Sequence, residues 1–356
     1  SVICVKETGL NDIGQLVLRS EISGVGFGFN EGVWMGDPTM GLRLIAQEGA
    51  PTPGVPDGIT YVGPFGPAVI SGAGDTLFGA RIGGPGVTFQ NSTGLWREQN
   101  GSVAELIVRA GDQAPGAGAG VQFIDMLSVI PSINKTGQIL FWAGLTGAGV
   151  DPSNGGGLWL FGPNQERRLI ARQGDPAPGI EKDAVFNFSV FPIYQLNRHG
   201  QIAFLVALGI DGTDYIGIWA TSPAGVLTLV VRGGELFDVD PDPQVQDRKT
   251  IEGISLTNLS WSDGDGNPEW FNDRGEVAFQ LTFTDGTSGI FVATIGGPCN
   301  AADLAEPFGA LDFSDVIAFL AAFGSMDSAA DLAPPVGTLD FSDVVAFLSA
   351  FGAGCP

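Results

Sequence analysis

The densest set of side chains able to do chemistry is acidic. Asp238, Asp240, Asp242 and Asp247 are followed by Asp263, Asp265, Asn267 and Glu269 in one enlarged stretch. From Asp263 to Glu269 the oxygens fall at alternate positions, the spacing of a calcium loop, without the rest of an EF-hand. Two readings stand side by side: a Ca2+ site, or a solvated acidic loop. Paired carboxylates also run glycoside hydrolysis without a histidine. His199 is the sole histidine and sits in a turn whose sister positions hold Ile13, Thr136 and Arg274, which marks an exposed turn residue rather than a base. Neither a Gly-x-Ser-x-Gly elbow, a CxxC pair nor an HExxH motif occurs. Among the tryptophans, Trp34, Trp96, Trp159 and Trp219 recur at one repeated position and read as core. Trp261 and Trp270 flank the acidic stretch and are the better candidates for stacking on a sugar.

The elements that must position these groups are written in a repeat. The phrases LNDIGQLVL, ISGAGDTLF, INKTGQILF, LNRHGQIAF and FNDRGEVAF place glycines at 14, 74, 137, 200 and 275. A long fixed period means one supersecondary unit copied in tandem. Each phrase is an Asn-x-x-Gly turn followed by an alternating strand, then a second strand centred on an aromatic: Trp34, Trp96, Trp159, Trp219 and Phe291. A third strand of the LIVR type, with a Gly-Asp-x-Ala-Pro-Gly tail, follows from Leu42, Leu106, Leu169 and Leu229, in four units of the five. A less regular strand precedes each phrase. Four strands per unit predict a β-propeller of about five blades over residues 1–295, followed by a small helical domain over 296–356. The missing LIVR strand leaves three readings: an open edge able to take a strand from another chain, a three-stranded last blade, or closure by a terminal segment.

Composition narrows the partners. The formal charge is −23, with 16 Lys+Arg against 39 Asp+Glu, and no basic cluster exists for nucleic acid. No run of 18 apolar residues occurs, so no membrane-spanning helix is expected. A start at Ser1 without a leader fits a processed secreted protein, extracellular or at the cell surface.

The repeats resemble a bacterial tandem family named for its NxxGxxAF motif, found in secreted proteins of planctomycete-like bacteria. The likeness covers nearly all of residues 10–293, with Ser71 in place of the asparagine in unit two and Val17-Leu18 in place of Ala-Phe in unit one. It implies secretion and repeat architecture, and no activity.

After Gly296 two copies follow at a period of 28, ADLAEPFGALDFSDVIAFLAAFG and ADLAPPVGTLDFSDVVAFLSAFG. Ser314 and Ser342 suit helix caps, and Val316, Phe319, Leu320 and Phe323 (Val344, Phe347, Leu348 and Phe351 in the second copy) suit apolar faces packed as a pair. This segment resembles a dockerin bracketed by Cys299 and Cys355. The resemblance puts Asp303, Asp312 and Asp315, and Asp331, Asp340 and Asp343, near the first, ninth and twelfth positions of calcium loops. Ala305, Pro307, Ala333 and Pro335 supply no side-chain oxygen, which leaves loops held by packing and a Cys299–Cys355 disulfide as the other reading. That bond would add about 4 kcal/mol by the chain-entropy account and imply an oxidising compartment. Cys4 is then left over, either a buried thiol or a bond between chains. A cohesin-type partner, or surface sorting, follows from the same resemblance.

These readings together favour a secreted, non-enzymatic structural protein that adds to itself head-to-tail as a fibre or surface layer. The alternatives are a carbohydrate- or cohesin-binding module at the cell surface, and a glycoside-active enzyme using the acidic stretch.

Overall fold

A computed structural model describes residues 2–22, 31–99, 101–125, 127, 130–163, 166–180, 183–188, 192–210, 212–240, 246–256, 270–296, 300–305, 311–335 and 337–354, with backbone alone for 2–8 and 22. Five sheets of four or five strands succeed one another along the chain, and two helices follow them. This is a propeller-like all-β fold with a helical appendage.

The first sheet holds β1 (Val2–Leu10), β2 (Leu16–Ile22), β3 (Glu31–Asp37) and β4 (Gly41–Gln47) in that order. The second contains β5 (Thr60–Val62), β6 (Ala68–Ile70), β7 (Thr76–Gly83), β8 (Thr93–Glu98) and β9 (Glu105–Arg109), ordered β5-β7-β8-β9 with β6 also on β7. β10 (Val121–Ile124), β11 (Ser132–Ile133), β12 (Ile139–Gly147), β13 (Gly156–Phe161) and β14 (Arg167–Arg172) repeat that plan. So do β15 (Val185–Asn187), β16 (Ile193–Leu196), β17 (Ile202–Ile210), β18 (Thr213–Thr221) and β19 (Leu227–Arg232). The fifth sheet runs β20 (Leu236–Asp238), β21 (Arg248–Ser255), β22 (Glu276–Phe283) and β23 (Ser288–Thr294).

The chain parts into two compact units, one chiefly Ser1–Arg198 with Phe204–Gly217, the other His199–Ala203, Ile218–Thr257 and Trp270–Pro356. In the first unit the core lies between successive sheets. Alternate residues of the second sheet serve two different cores: Trp96, Phe78 and Ile82 pack with Val33, Tyr61 and Phe65, while Leu95, Leu77 and Val108 pack with Phe123, Phe141 and Trp159. A strand buried on both faces explains the Gly-Leu-Trp signature, since every position needs an apolar or small residue. A Cβ on Gly94 would sit 2.9 Å from the Trp96 ring, and on Gly157 2.7 Å from the Trp159 ring. The glycine two places earlier is the bed on which the indole lies.

The Pro-Gly tail is the joint between sheets. Trp96 Nε1 donates to the Pro53 carbonyl and Trp159 Nε1 to the Pro115 carbonyl, each at 3.0 Å. Pro51 and Gln113 then bridge to Thr60 and Gln122, so the tail leads directly into the next sheet. The turn asparagines make a second joint. Asn11 Nδ2 donates to the Ser71 carbonyl at 3.0 Å, and Asn134 Nδ2 to the Asn197 carbonyl at 2.9 Å, each reaching the same place one repeat further on. The Asn134 Oδ1 meanwhile accepts from the amides of Thr136 and Gln138 and closes its own turn.

In the second unit the fifth sheet has four strands although the LIVR type is missing. β20 supplies the fourth, pairing with β21 through Leu236–Thr250 and Asp238–Arg248. Phe237 on β20 packs edge-on against Phe291 at 4.8 Å. The reading of a three-stranded last blade is therefore corrected, while the place beside β23, where the LIVR strand pairs in the other sheets, stays unfilled among the described residues. The helices α1 (Phe313–Gly324) and α2 (Phe341–Ala353) pair as the pattern predicted, with Phe319 and Phe347 stacked at 4.2 Å. Their caps are Asp312 and Asp340, not the serines; each closes a capping box with the acid three residues on. The carboxylate accepts from the amide of Ser314 or Ser342, which stands two places too late to cap.

Candidate functional site

A cleft of about 380 Å³ opens in the first unit, lined by Arg97, Glu105, Ile107, Gly137, Ile139, Phe161, Gly162, Pro163 and Arg167. Its floor is the apolar core, since Ile139 and Phe161 are buried there with Ile107 packed alongside. Arg97 ends up in the cleft because it follows Trp96 on β8 and so points away from the indole. Across the strand pair it faces Glu105 on β9, and Arg97 Nη2 donates to Glu105 Oε2 at 3.1 Å. Arg97 Nη1 reaches the Gly137 carbonyl at 3.5 Å, and its buried Nε has no hydrogen-bond partner among the described residues. Gly137 is the glycine of the third repeat turn, and a Cβ there would stand 3.2 Å from Arg97 Nη1. The repeat glycine thus leaves room for the guanidinium.

Arg167 comes from β14 and lies over the Phe161 ring at 4.2 Å. Burial draws its guanidinium below the usual arginine range; Glu105 pulls it back up and Arg97 pushes it further down. The three charges therefore feel one another, two cations to one anion. None of them belongs to the repeat. Strand register puts Arg97 in the column of Met35 and Leu160, and Arg167 in that of Leu42 and Ala104. A search of the sequence for clustered acids and histidine passes over the two arginines. The signal that finds them is the charged departure from an apolar column.

The neighbouring turn shows what a structural carboxylate looks like in this fold. In the first sheet Gln15 Nε2 donates to Asp37 Oδ2 at 2.9 Å; in the second, Gln99 Nε2 donates to Asp75 Oδ2 at 3.4 Å. Amide and acid have exchanged places between equivalent positions. Burial raises the Asp75 carboxyl, against the Gln99 hydrogen bond and Arg97, which lower it, and with Glu98, which adds to the rise.

The residues singled out from sequence are distributed differently. Asp263, Asp265, Asn267, Glu269, Trp261, Cys299, Cys355 and Pro307 lie outside the described residues. Cys4 falls on β1 opposite Glu21, with its side chain undescribed. Trp270 is buried at 2% exposure and offers no sugar platform. Asp315 Oδ1 accepts from the amides of Leu304 and Ala305 and Oδ2 from that of Asp312; Asp343 does the same with Leu332, Ala333 and Asp340. These hydrogen bonds hold Asp343 below the usual carboxylate range. The lone pairs a calcium ion needs are thus taken up by backbone, and Asp312 and Asp340 serve as helix caps. Asp303 is buried, and Asp331 accepts from the Gly337 amide. Among the described residues no group of three or more His, Cys, Asp or Glu is placed to hold a metal, and nothing supports the calcium expectation. No helix among them is long and apolar enough to cross a membrane.

Fold and cleft define a β-repeat protein of propeller-like build with a basic pocket between two sheets. The chain belongs to a family described as a family of unknown function (DUF7453), whose profile matches residues 2–166 and again 157–298. No curated protein matches it. Solved structures that resemble it include the polysaccharide lyase Uly1, at 9% identity and TM-score 0.34 over 82% of this chain and 77% of that one. Another is Zg3597, a family 117 glycoside hydrolase of the marine bacterium Zobellia galactanivorans, at 9% and 0.28 over 70% and 73%. The likeness is one of coarse architecture. These neighbours correct the expectation of a non-enzymatic, fibre-forming subunit: the lyase and the hydrolase act on carbohydrate, and nothing among the described residues speaks for strand exchange between copies.

Proposed function

We propose that this protein is an extracellular or cell-surface carbohydrate-active protein whose five sheets are the blades of a propeller. Its site is the first unit's cleft, and the ligand is an acidic polysaccharide. One observation carries the reading: Arg97 and Arg167 converge on a single cleft, in columns the repeat fills with apolar residues, on a chain of charge −23. Guanidinium groups over an apolar floor recognise a ring that carries an anion, by charge-assisted hydrogen bonds to the anion and packing under the ring. The same two cations suit catalysis, since they stabilise charge that develops next to a bound acidic group. The test is calorimetric titration with polygalacturonate, dextran sulfate and neutral dextran, with assay of newly formed chain ends. Binding of an acidic polymer, weakened about tenfold or more by Arg97→Ala or Arg167→Ala, supports the reading. Equal binding of neutral and acidic chains, or none, sinks it.

The helical pair supports a second reading, as a docking module for a cohesin-like partner. Phe313, Ile317 and Leu320 on α1 are 73%, 55% and 61% exposed, and their counterparts 28 residues on, Phe341, Val345 and Leu348, are 76%, 48% and 60% exposed. Leu320 and Leu348 thus leave the pair's core and join an outward stripe. The segment from 296 to 356 has no basic residue, so its partner would present an apolar face with a basic rim. Binding to a panel of cohesins that survives Phe313→Ser with Phe341→Ser speaks against the stripe.

A further inference from the structure

We infer that Glu105 is an exchangeable stand-in for the ligand's own charged group, and that the cleft therefore selects carboxylates, the uronic acids of a polysaccharide, over sulfate esters. This rests on the reading of the cleft as an acidic-polysaccharide site and names the substrate class it takes. The argument is one of mobility and shape. In the Arg97–Glu105 pair the guanidinium side chain is 12% exposed and the carboxylate 62% exposed. Arg97 is walled in by the Gly137 turn, whereas Glu105 stands at the rim of β9 with water on its free side. The member able to leave is the acid. Arg97 Nη2 donates to one carboxylate oxygen of Glu105, which shows where on Arg97 a carboxylate is held. Arg167 lines the same cleft, over the Phe161 ring, and adds a second cation there.

A site filled by its own carboxylate imposes competition. An incoming uronate must displace Glu105, returning an exposed acid to water at little cost, and it puts the same chemical group in the same place. The column supports the assignment: where the second sheet has Glu105, the first and third have Arg43 and Arg168, so an acid at this position is particular to the cleft.

The experiment compares wild type, Glu105→Gln and Glu235→Gln by titration with polygalacturonate, dextran sulfate and neutral dextran at fixed ionic strength. Glu235, ion-paired with Arg232 in the other unit, controls for the loss of one negative charge. We expect Glu105→Gln to tighten polygalacturonate binding by roughly fivefold, with Glu235→Gln unchanged. Wild type should prefer polygalacturonate to dextran sulfate. Binding to Glu105→Gln alone, with none to wild type, would support the competition most directly. Weaker or unchanged polygalacturonate binding by Glu105→Gln overturns the stand-in role while the acidic-polysaccharide reading survives. Dextran sulfate bound more tightly than polygalacturonate overturns the carboxylate selectivity. Failure of both proteins to bind either acidic polymer overturns this inference and the parent reading together. Thermal unfolding of each variant excludes loss of fold as the cause.

Discussion

Two ion pairs stand on strand β8 and its neighbours, and they are built in opposite senses. Arg43 Nη2 meets Glu98 Oε2 at 2.9 Å, with the acid 1% exposed and the arginine 31% exposed. Arg97 meets Glu105 with the burial reversed, the cation 12% exposed and the acid 62% exposed. Glu98 also accepts from the Gly101 amide, so its charge is fully engaged inside the protein. The first pair is sealed and serves the joint between the first and second sheets. The second keeps its cation fixed and leaves its anion at the water's edge. Consecutive residues of one strand therefore separate construction from exchange, because alternate side chains face different surroundings.

The comparison breaks most visibly at the sealed pair. Glu98→Ala removes a buried anion and should cost about 2–3 kcal/mol in urea unfolding, against under about 1 kcal/mol for Glu105→Ala. Equal losses would erase the distinction. Next in size, Arg97→Ala should abolish binding of acidic polysaccharide while changing stability by no more than about 1 kcal/mol, since the acid it leaves is already solvated. Asp75, which feels both Arg97 and Glu98, gives a smaller effect with a definite pH sign. Its folded carboxyl is raised, so the stability tied to the neutral acid is fully present below the ordinary 3.8 and is lost as pH rises through the folded value. Asp75→Asn should therefore stabilise the protein at pH 7 by a fraction of a kcal/mol after solvent screening, a gain that vanishes below pH ~4. Last, Ser71→Asn should add up to about 1 kcal/mol, because an amide there can donate to the Asn134 carbonyl as Asn11 does to that of Ser71. Unchanged thermal midpoints would show that the second repeat does not need the link.

Much of this architecture was legible in residue spacing. The five turns, the aromatic strands, the four LIVR strands and the helical pair all follow from periods that burial imposes. What escaped has a physical reason in each case. β20 is three residues long and lies beside an acidic stretch, so it carries no alternation to read. The helix caps went to Asp312 and Asp340 because a carboxylate and a serine two places apart both look like caps until the backbone angles are fixed. The cleft was hidden more deeply. Its arginines sit in otherwise apolar columns, and that contrast appears only when the strands are placed in register. The acids that drew attention in the helical pair proved to be clasping backbone amides, the commoner use of a buried carboxylate.

The asparagine link has a direction. Asn11 donates forward to the second repeat and Asn134 forward to the fourth. A chain leaving the ribosome therefore emerges with each such amide waiting for a carbonyl not yet synthesised. Ser71 offers a hydroxyl in place of that amide, so the step from the second repeat to the third has no such amide to wait.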